Sequence, residues 1–434
     1  MKNPIKDFLT IPESESIHPE VKKNFKRNFF ANMMDACFWF FGDSFAAAYT
    51  IMPVFISTLT DSPILIGLIP ALDGAGWFLP QLFLARTLEG KNRRMPIVRF
   101  LGLFDRIPFF FLALGAFFIP QLDKNIALIL IIVIYAIKTF SGGLVALPWQ
   151  ELIATVIPIS HRGRYWGYSL ILGKLMGLGG AAISGILLIS ITYPYNYATM
   201  FLIGFCAVSI SYIFLNMNIE PEIPRQNSKE TIKLLSRIKD VLSKDKNFLI
   251  YLFNRGFIFL AGMALAFITV YAINTYNLPI AQSATFTAIM LVSEIIGFGI
   301  WGNLGDRSGY KRVIEISNFI LILGILSLLF VNTLWALYLV FALMSFAHSG
   351  EYIADQNFAM EFGTEENRPT YIGMSKTLTG PFFLLAPIIG GSLVQFLGYK
   401  SMFMTALIMA VISFTVIRFF VSDPRKSPRA LDIS

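Results

Sequence analysis

The sequence contains little cysteine, little histidine and little charge. Among 434 residues there are two cysteines and three histidines, and only 14% of the residues are charged. Cys37 and Cys206 both lie inside apolar runs, which argues against a disulfide scaffold or a cysteine-based metal site and predicts two buried free thiols. So small a charged fraction also excludes an ordinary soluble globular protein.

Sequence patterns typical of enzymes are missing as well. The chain contains no H-E-x-x-H, no G-x-S-x-G with partner residues, and no glycine-rich phosphate loop between a strand and a helix. The small number of histidines points the same way, so an integral-membrane enzyme is the weakest functional alternative. We expect no cofactor and no bound metal.

Long apolar runs dominate the chain. Hydrophobic residues make up 55% of it and aromatic residues 15%. A helix needs roughly 20 apolar residues to cross a hydrocarbon layer about 30 Å thick. Twelve segments qualify, and they cover residues 28–57, 63–86, 97–119, 125–156, 166–190, 197–217, 248–273, 282–303, 313–331, 333–358, 370–397 and 401–420.

The predicted fold class is therefore an all-α integral membrane protein with twelve transmembrane helices in two six-helix halves. The expected segments are a cytoplasmic N-terminal segment (1–27), a first half (28–217), a linker (218–247), a second half (248–420) and a cytoplasmic tail (421–434). The linker mixes polar residues with spaced apolar ones, which indicates a surface amphipathic helix. Neither terminal segment is long enough for a further folded domain.

Basic residues predict the orientation of the chain in the membrane. Lysine and arginine cluster in loops on one side, around residues 86–94, 162–164, 229–246, 307–312 and 425–429, whereas the opposite loops carry almost no charge. Basic loops stay in the cytoplasm, so we expect both termini there, in a cytoplasmic or inner membrane. The first ~25 residues lack the pattern of a cleavable signal peptide. Orientation also explains the net charge of +8 without a nucleic-acid partner.

Two segments of the chain resemble each other. Residues 150–169, QELIATVIPISHRGRYWGYS, align without gaps with residues 356–375, QNFAMEFGTEENRPTYIGMS, and Gln, Arg, Tyr, Gly and Ser recur at matching places. The displacement of about 206 residues is close to half the chain, as two duplicated six-helix halves would produce.

A short charged hairpin, GNLGDRSGYKR at residues 302–312, separates the eighth and ninth predicted helices. Glycines allow a tight turn between two helices that meet on one membrane face, and basic residues hold that turn in the cytoplasm. The hairpin resembles the G-x-L-a-D-R-x-G-r-k-r signature of the major facilitator superfamily. The matching residues are Gly302, Leu304, Gly305, Asp306, Arg307, Gly309, Lys311 and Arg312.

The resemblance extends over nearly the whole chain and implies two halves around a central cavity, with transport by alternating access. It also implies that Asp306 braces a helix end of the opposite half. That end would be the start of the fifth helix, near residues 163–167, where free N–H groups and the helix dipole favour an anion. The alternative is a loop that only sets topology. The corresponding loop of the first half, residues 86–94, lacks the Gly-Asp-Arg core.

Ionisable residues inside apolar spans indicate the transport pathway, because a charge in hydrocarbon is costly and usually faces a cavity or a partner. Asp43, Lys138, Glu294 and His348 fall nearest the midplane, where the binding sites of such transporters lie. The full set of candidate pathway residues is Asp35, Asp43, Asp73, Lys138, Lys174, Glu294, His348, Trp39 and Trp77.

These residues also have structural interpretations. Lys138 either neutralises an aspartate of the first helix or binds an anionic substrate. Glu294 is a candidate proton carrier, whereas His348 is either a titrating or a packing histidine. The two tryptophans line a cavity or fill the core.

Arg162 and Arg368 occupy equivalent places in the repeat, after the fourth and tenth helices. They either orient the chain by the positive-inside rule or contact a gate carboxylate, Glu151 or Asp355.

The sequence therefore predicts a secondary active transporter that moves a small organic solute, coupled to protons, and that works as a monomer in the lipid bilayer. An importer of a small anion and a multidrug exporter are both compatible with it. A transporter-like membrane sensor without turnover is the alternative from another functional class.

Overall fold

The computed structural model describes residues 10–11, 15, 17–88, 92–222, 241–243, 245–363 and 368–426. Almost all of these residues are helical, and no strand occurs among them. Helices α1 to α7 are Pro19–Asp43, Ile51–Leu59, Pro63–Leu88, Met95–Phe117, Lys124–Val156, Ile159–Ser190 and Tyr195–Asn216. Helices α8 to α13 are Lys246–Ala261, Met263–Thr275, Gln282–Ser308, Tyr310–Leu328, Leu334–Glu361 and Arg368–Thr415.

These helices are suited to a membrane. Within the described ranges, nine segments are long and apolar enough to span one, and a single segment, Tyr371–Phe420, contains the last two predicted spans. α4 and α11 coincide with the two remaining predicted spans, so all twelve fall on helices. Large apolar side chains such as Trp335 and Phe396 are 81% and 75% exposed, as expected where lipid surrounds the protein. The predicted all-α integral membrane fold class is confirmed.

The structure divides into two compact units. The first comprises Met1–Ala47 and Gly76–Lys229, and the second comprises Ala48–Ala75 and Glu230–Ser434, each as far as its residues are described. In the first unit α1 packs on α6 and α7, and α4 packs on α5 and α7. In the second unit α8 packs on α13, α12 packs on α10 and α11, and α2 lies against α9 and α10. Residues 48–75, which the sequence assigned to the first half, thus pack with the second unit.

The first predicted span, 28–57, is interrupted between α1 and α2. α1 ends at Asp43, a short 3-10 turn follows, and α2 begins only at Ile51. The Thr269 hydroxyl donates a hydrogen bond of 2.8 Å to the carbonyl of Tyr49 in this break. A side chain of α9 therefore supplies the partner that an irregular backbone needs at membrane depth.

The fifth predicted span begins earlier than expected. α6 starts at Ile159 rather than at residue 166, so residues 163–167 lie inside the helix and not at its end. The N-terminal end of α6 is instead bonded by Glu15, whose carboxylate accepts hydrogen bonds from the hydroxyl and the N–H of Ser160. The hydroxyl hydrogen bond lowers the pKa of Glu15. A negative charge at this position is favoured by the helix dipole.

Each unit ties the end of its last helix to its first helix through an asparagine. Asn28 of α1 exchanges two hydrogen bonds of 2.9 Å with the backbone of Ile219, beyond α7. Asn247 of α8 exchanges two hydrogen bonds of 2.8 Å with Ser422, beyond the last helix of the second unit. The same device at the same place in both units agrees with a duplicated architecture.

Two further expectations have different outcomes. Cys37 is buried as predicted, but the prediction for Cys206 is wrong, since this thiol is exposed. A small apolar residue on a membrane helix can face lipid as easily as protein. Most of the predicted amphipathic linker, residues 223–240, lies outside the described residues, and that helix remains a prediction.

Candidate functional site

In the first unit, Lys138 of α5 pairs with Asp43 at the end of α1. The Lys138 Nζ lies 2.6 Å from the Asp43 Oδ1. The Lys138 side chain is 7% exposed and that of Asp43 is 31% exposed, so the pair is covered mainly on the lysine side. The ammonium also lies over the rings of Phe109 and Tyr135, at 5.2 and 5.4 Å from their centroids. The structure shows the ion pair with the first helix, and contact of Lys138 with an anionic substrate remains a prediction.

A second, more buried charged cluster in the same unit joins α1, α4 and α7. Arg106 of α4 has its Nη2 3.5 Å from Asp35 Oδ1 and its Nη1 3.1 Å from Asp105 Oδ2. Ser211 donates a hydrogen bond of 2.6 Å to Asp35, and Trp39 donates one of 3.4 Å to Asp105. The three charged side chains are each only 6% exposed. One guanidinium thus serves two buried carboxylates.

Two of the five residues in this cluster were identified from the sequence. Asp35 and Trp39 were among the candidate pathway residues, whereas Asp105 and Arg106 were not. Their signal was present, since two adjacent charges within the apolar third span require a partner or a cavity. The spacing within one helix does not reveal that their partner is Asp35, because α1 and α4 are separated along the chain.

Two further candidate residues of the first unit are Lys174 and Trp77. The Lys174 Nζ of α6 lies 5.4 Å from the centroid of the Phe40 ring on α1. Trp77 of α3 is partly buried, and its backbone carbonyl accepts a hydrogen bond of 2.6 Å from Gln81.

In the second unit, three candidate residues from different helices lie around one aromatic ring. The His348 Nδ1 of α12 is 3.5 Å from Glu294 Oε1 of α10, and the Glu294 side chain is 10% exposed against 40% for His348. Tyr49, in the break between α1 and α2, lies 6.4 Å from the His348 ring, centroid to centroid. Tyr49 also lies within electrostatic range of Asp73 and Glu294. The sequence pattern indicated Asp73, Glu294 and His348 separately, but missed Tyr49 as the residue near all three.

Arg255 of α8 forms the main buried ion-pair group of the second unit. Its Nη1 lies 2.9 Å from Glu351 Oε2, and its Nη2 lies 2.9 Å from Asp355 Oδ1. The Arg255 side chain is 3% exposed, and its guanidinium stacks 4.5 Å from the centroid of Phe259. The i, i+4 spacing of the two carboxylates on α12 allows both to reach one arginine.

The charged hairpin at residues 302–312 is held by contacts within the second unit. Gly309 has φ +88, a conformation that favours glycine, and Tyr310 donates a hydrogen bond of 3.0 Å to Asp306. Arg425 donates a hydrogen bond of 2.7 Å to Glu361 and one of 3.4 Å to the carbonyl of Gly305. The hairpin is therefore tied to the end of α12 and to the segment beyond the last helix.

The remaining signature residues lie at the surface of this hairpin. Arg307 and Arg312 are exposed, Gly302 is partly exposed, and Lys311 pairs with Glu315 at 3.3 Å. A brace between Asp306 and residues 163–167 would join the two units and remains a prediction. Its premise changes, because the free N–H groups of α6 are at Ile159 and Ser160.

The two repeat-related arginines differ in what can be described. Arg162 donates hydrogen bonds to the carbonyls of Ile157, at 3.1 Å, and Ala154, so it covers the C-terminal end of α5. Glu151 pairs with Arg94. Arg368 is the first residue of α13, and its contact with a gate carboxylate remains a prediction.

Comparison with known proteins supports the fold. Residues 256–433 match the family model of the Major Facilitator Superfamily. A D-xylose-proton symporter superposes with a TM-score of 0.70 at 15% identity, covering 92% of this chain and 98% of that one. The nucleoside transporter NupG gives 0.63 at 16% identity, covering 90% and 96%. The partially occluded, inward-open xylose transporter XylE from E. coli gives 0.69 at 11%, covering 93% and 99%. No curated protein sequence matches.

Proposed function

We propose that this chain is a member of the major facilitator superfamily and a secondary active transporter that moves a small organic solute by alternating access. In this proposal the two six-helix halves rock about a central binding site. Two of the similar solved structures are named as a nucleoside transporter and a D-xylose-proton symporter, and nucleosides and xylose are small polar organic molecules. They support this substrate class and no particular member of it.

The observation that carries proton coupling is the contact between Glu294 and His348. A carboxyl group that is 10% exposed inside an apolar helix is costly unless it has a partner or a function. The Nδ1 of His348, 3.5 Å away, is a candidate partner for a proton on this carboxyl group. We therefore assign Glu294 the role of proton carrier. Tyr49, which interacts electrostatically with both Asp73 and Glu294, would belong to the same polar patch.

The proposed topology follows from the loops. The basic hairpin at residues 302–312 and the start of α6 at residues 159–164 face the cytoplasm in this proposal, with both termini on that side. The protein would work as a monomer in a cytoplasmic membrane. Asp306 would take part in gating, and Tyr310 would orient its carboxylate through their hydrogen bond of 3.0 Å.

The first experiment identifies a substrate. Purified protein is heated with a panel of nucleosides, sugars, organic anions and bulky apolar compounds at two pH values. A ligand of the native state raises the melting temperature by mass action. Small polar solutes are expected to stabilise the protein, whereas stabilisation by bulky apolar compounds alone would favour the exporter.

The second experiment tests turnover and coupling in liposomes. Counterflow of the identified solute is expected for a transporter and absent for a sensor. Solute-driven proton movement, followed with an internal pH dye, is expected to disappear in Glu294→Gln and to persist in Asp61→Asn, a matched change at an exposed carboxylate. Unchanged proton movement in Glu294→Gln would remove this residue as carrier.

A further inference from the structure

The buried cluster of Asp35, Asp105 and Arg106 has an uncharged counterpart in the second unit. Asp35, Arg106 and Ser211 lie on the first, third and sixth spans. Asn254, Asn318 and Ser413 lie on the seventh, ninth and twelfth. The Ser413 hydroxyl accepts hydrogen bonds of 2.8 Å from Asn254 and 2.9 Å from Asn318. All three residues are 0% exposed. Each unit therefore joins its first, third and sixth spans through a polar cluster that includes a serine of the sixth.

The comparison of the two clusters indicates that the junction of these three helices does not require buried charges. A neutral amide and hydroxyl cluster is sufficient to join these three helices in the second unit. Burying an ion pair instead costs desolvation energy that the attraction between the charges often only balances. The first unit nevertheless places three ionisable groups at the junction, with two carboxyl groups for one guanidinium. A charge retained inside the membrane without a structural requirement indicates a function.

The surroundings of the two carboxylates favour a proton as the ligand. Asp35 accepts from Ser211 and faces Arg106, and Asp105 accepts from Trp39 and faces Arg106. Donors and a fixed positive charge on both carboxylates oppose a bound metal cation, which needs several oxygen ligands. A proton needs only one carboxylate oxygen. Two acids close to one arginine titrate as a pair, so the proton belongs to the pair.

We propose that Asp35 and Asp105 form a second proton-binding site, in the first unit and separate from Glu294. Arg106 stays charged and keeps one carboxylate ionised while the pair takes up or releases a single proton. The proposal rests on proton-coupled transport as the function, and it adds a site with its own residues.

Other charged and polar groups face this site from the neighbouring helices. Those near Asp35 and Asp105 are Asp43 of α1, Lys138 and Trp149 of α5, Tyr165 of α6 and Tyr212 of α7. Asp43 and Lys138 neutralise each other at 2.6 Å. The excess carboxylate of the cluster therefore remains with Asp35 and Asp105.

Infrared difference spectroscopy of the purified protein between acidic and alkaline pH tests the site without any substrate. A protonated-carboxyl C=O band that titrates in the wild-type protein is expected to be lost in both Asp35→Asn and Asp105→Asn. It is expected to persist in Glu294→Gln, where only the band of that residue would be missing. A wild-type spectrum without such a band, or one that survives in both aspartate variants, would overturn the proposal.

A triple variant tests whether the charges are needed for folding. Ser317 is 0% exposed and precedes Asn318 as Asp105 precedes Arg106. Asp35→Asn, Asp105→Ser and Arg106→Asn together therefore install in the first unit the residue types that Asn254, Ser317 and Asn318 provide in the second. This variant is expected to elute as a folded monomer with a melting temperature close to that of the wild type, and to lack the titrating band. Loss of the folded state would show that the charges are structural. Loss of solute-driven proton movement in Glu294→Gln bears only on the other site.

Discussion

The two units place opposite charges on corresponding helices. In the first unit the first helix carries the acid, Asp43, and the fourth carries the base, Lys138. In the second unit the first helix carries the base, Arg255, and the fourth, α12, carries the acids Glu351 and Asp355. Corresponding helices are joined by an ion pair in both units although the signs of the charges are exchanged. Helix packing therefore does not fix which helix carries the acid. The difference teaches that shape is repeated between the units while the electrostatics are specific to each.

The largest effect is expected from removing Arg255, which pairs with two acids in the second unit. Arg255→Ala would leave Glu351 and Asp355 without a cation in a buried site, and breaking a buried ion pair costs about 3–5 kcal/mol. The readout is the folded fraction by size-exclusion chromatography after heating. Arg307→Ala, at an exposed arginine, is the control and should change stability by less than about 0.5 kcal/mol. Equal melting curves for the two variants would contradict a buried ion pair.

Moving charge into the neutral junction sharpens the comparison. Asn254→Asp introduces a carboxylate at a buried site where the native amide donates to the hydroxyl and the carbonyl of Ser413. A buried unsatisfied polar group costs about 1–3 kcal/mol, more when charged. Adding Asn318→Arg supplies the partner that Arg106 provides in the first unit, so part of the loss should return. A double-mutant cycle on melting temperature measures this coupling. Strictly additive losses would show that the second junction cannot accept the arrangement of the first.

The asparagine contacts test whether the units are equivalent where they look alike. Asn28→Ala and Asn247→Ala each remove two hydrogen bonds to the backbone beyond the last helix, and such losses cost about 1–2 kcal/mol. Similar decreases in melting temperature are expected, with Asn125→Ala, at an exposed asparagine, as the unaffected control. A loss in only one unit would break the equivalence.

The smallest effect is expected for Glu15, which accepts hydrogen bonds from Ser160 at the start of α6 in the first unit. The pKa of Glu15 is lowered in the folded protein by the Ser160 hydroxyl. Its contribution to stability is therefore present above the pKa of the unfolded chain and is lost as pH falls through the lowered value. Wild-type protein should melt slightly above Glu15→Gln at neutral pH, and the two curves should converge in acid. A constant difference across pH would contradict this origin.

The predictability of the fold and of the site differs for a physical reason. Hydrophobic runs report directly on membrane insertion, so the twelve predicted spans all fall on helices, with differences at the helix boundaries. The break before Ile51 could not be predicted from the sequence. The Thr269 hydroxyl, which donates to the carbonyl of Tyr49 in this break, lies on a helix far away along the chain. The early start of α6 was missed because residues 159–165 are too polar to count as an apolar run.

The site residues were predicted as individual charges and not as groups. Glu294, His348 and Asp73 were each identified by their depth, yet only the tertiary structure brings them near Tyr49. Asp105 and Arg106 were visible as charges in an apolar helix, but nothing local connects them with Asp35.

The sequence by itself determined the membrane class and the all-α fold, and it contains the internal repeat and the signature hairpin, because each depends on composition or on local pattern. Only the tertiary structure decided which charges share a partner, since helix packing joins residues far apart in the chain. Packing made Lys138 the partner of Asp43 and gave Arg106 two carboxylates. It also left the equivalent junction of the second unit to neutral amides, which hydrogen-bond at no cost in buried charge.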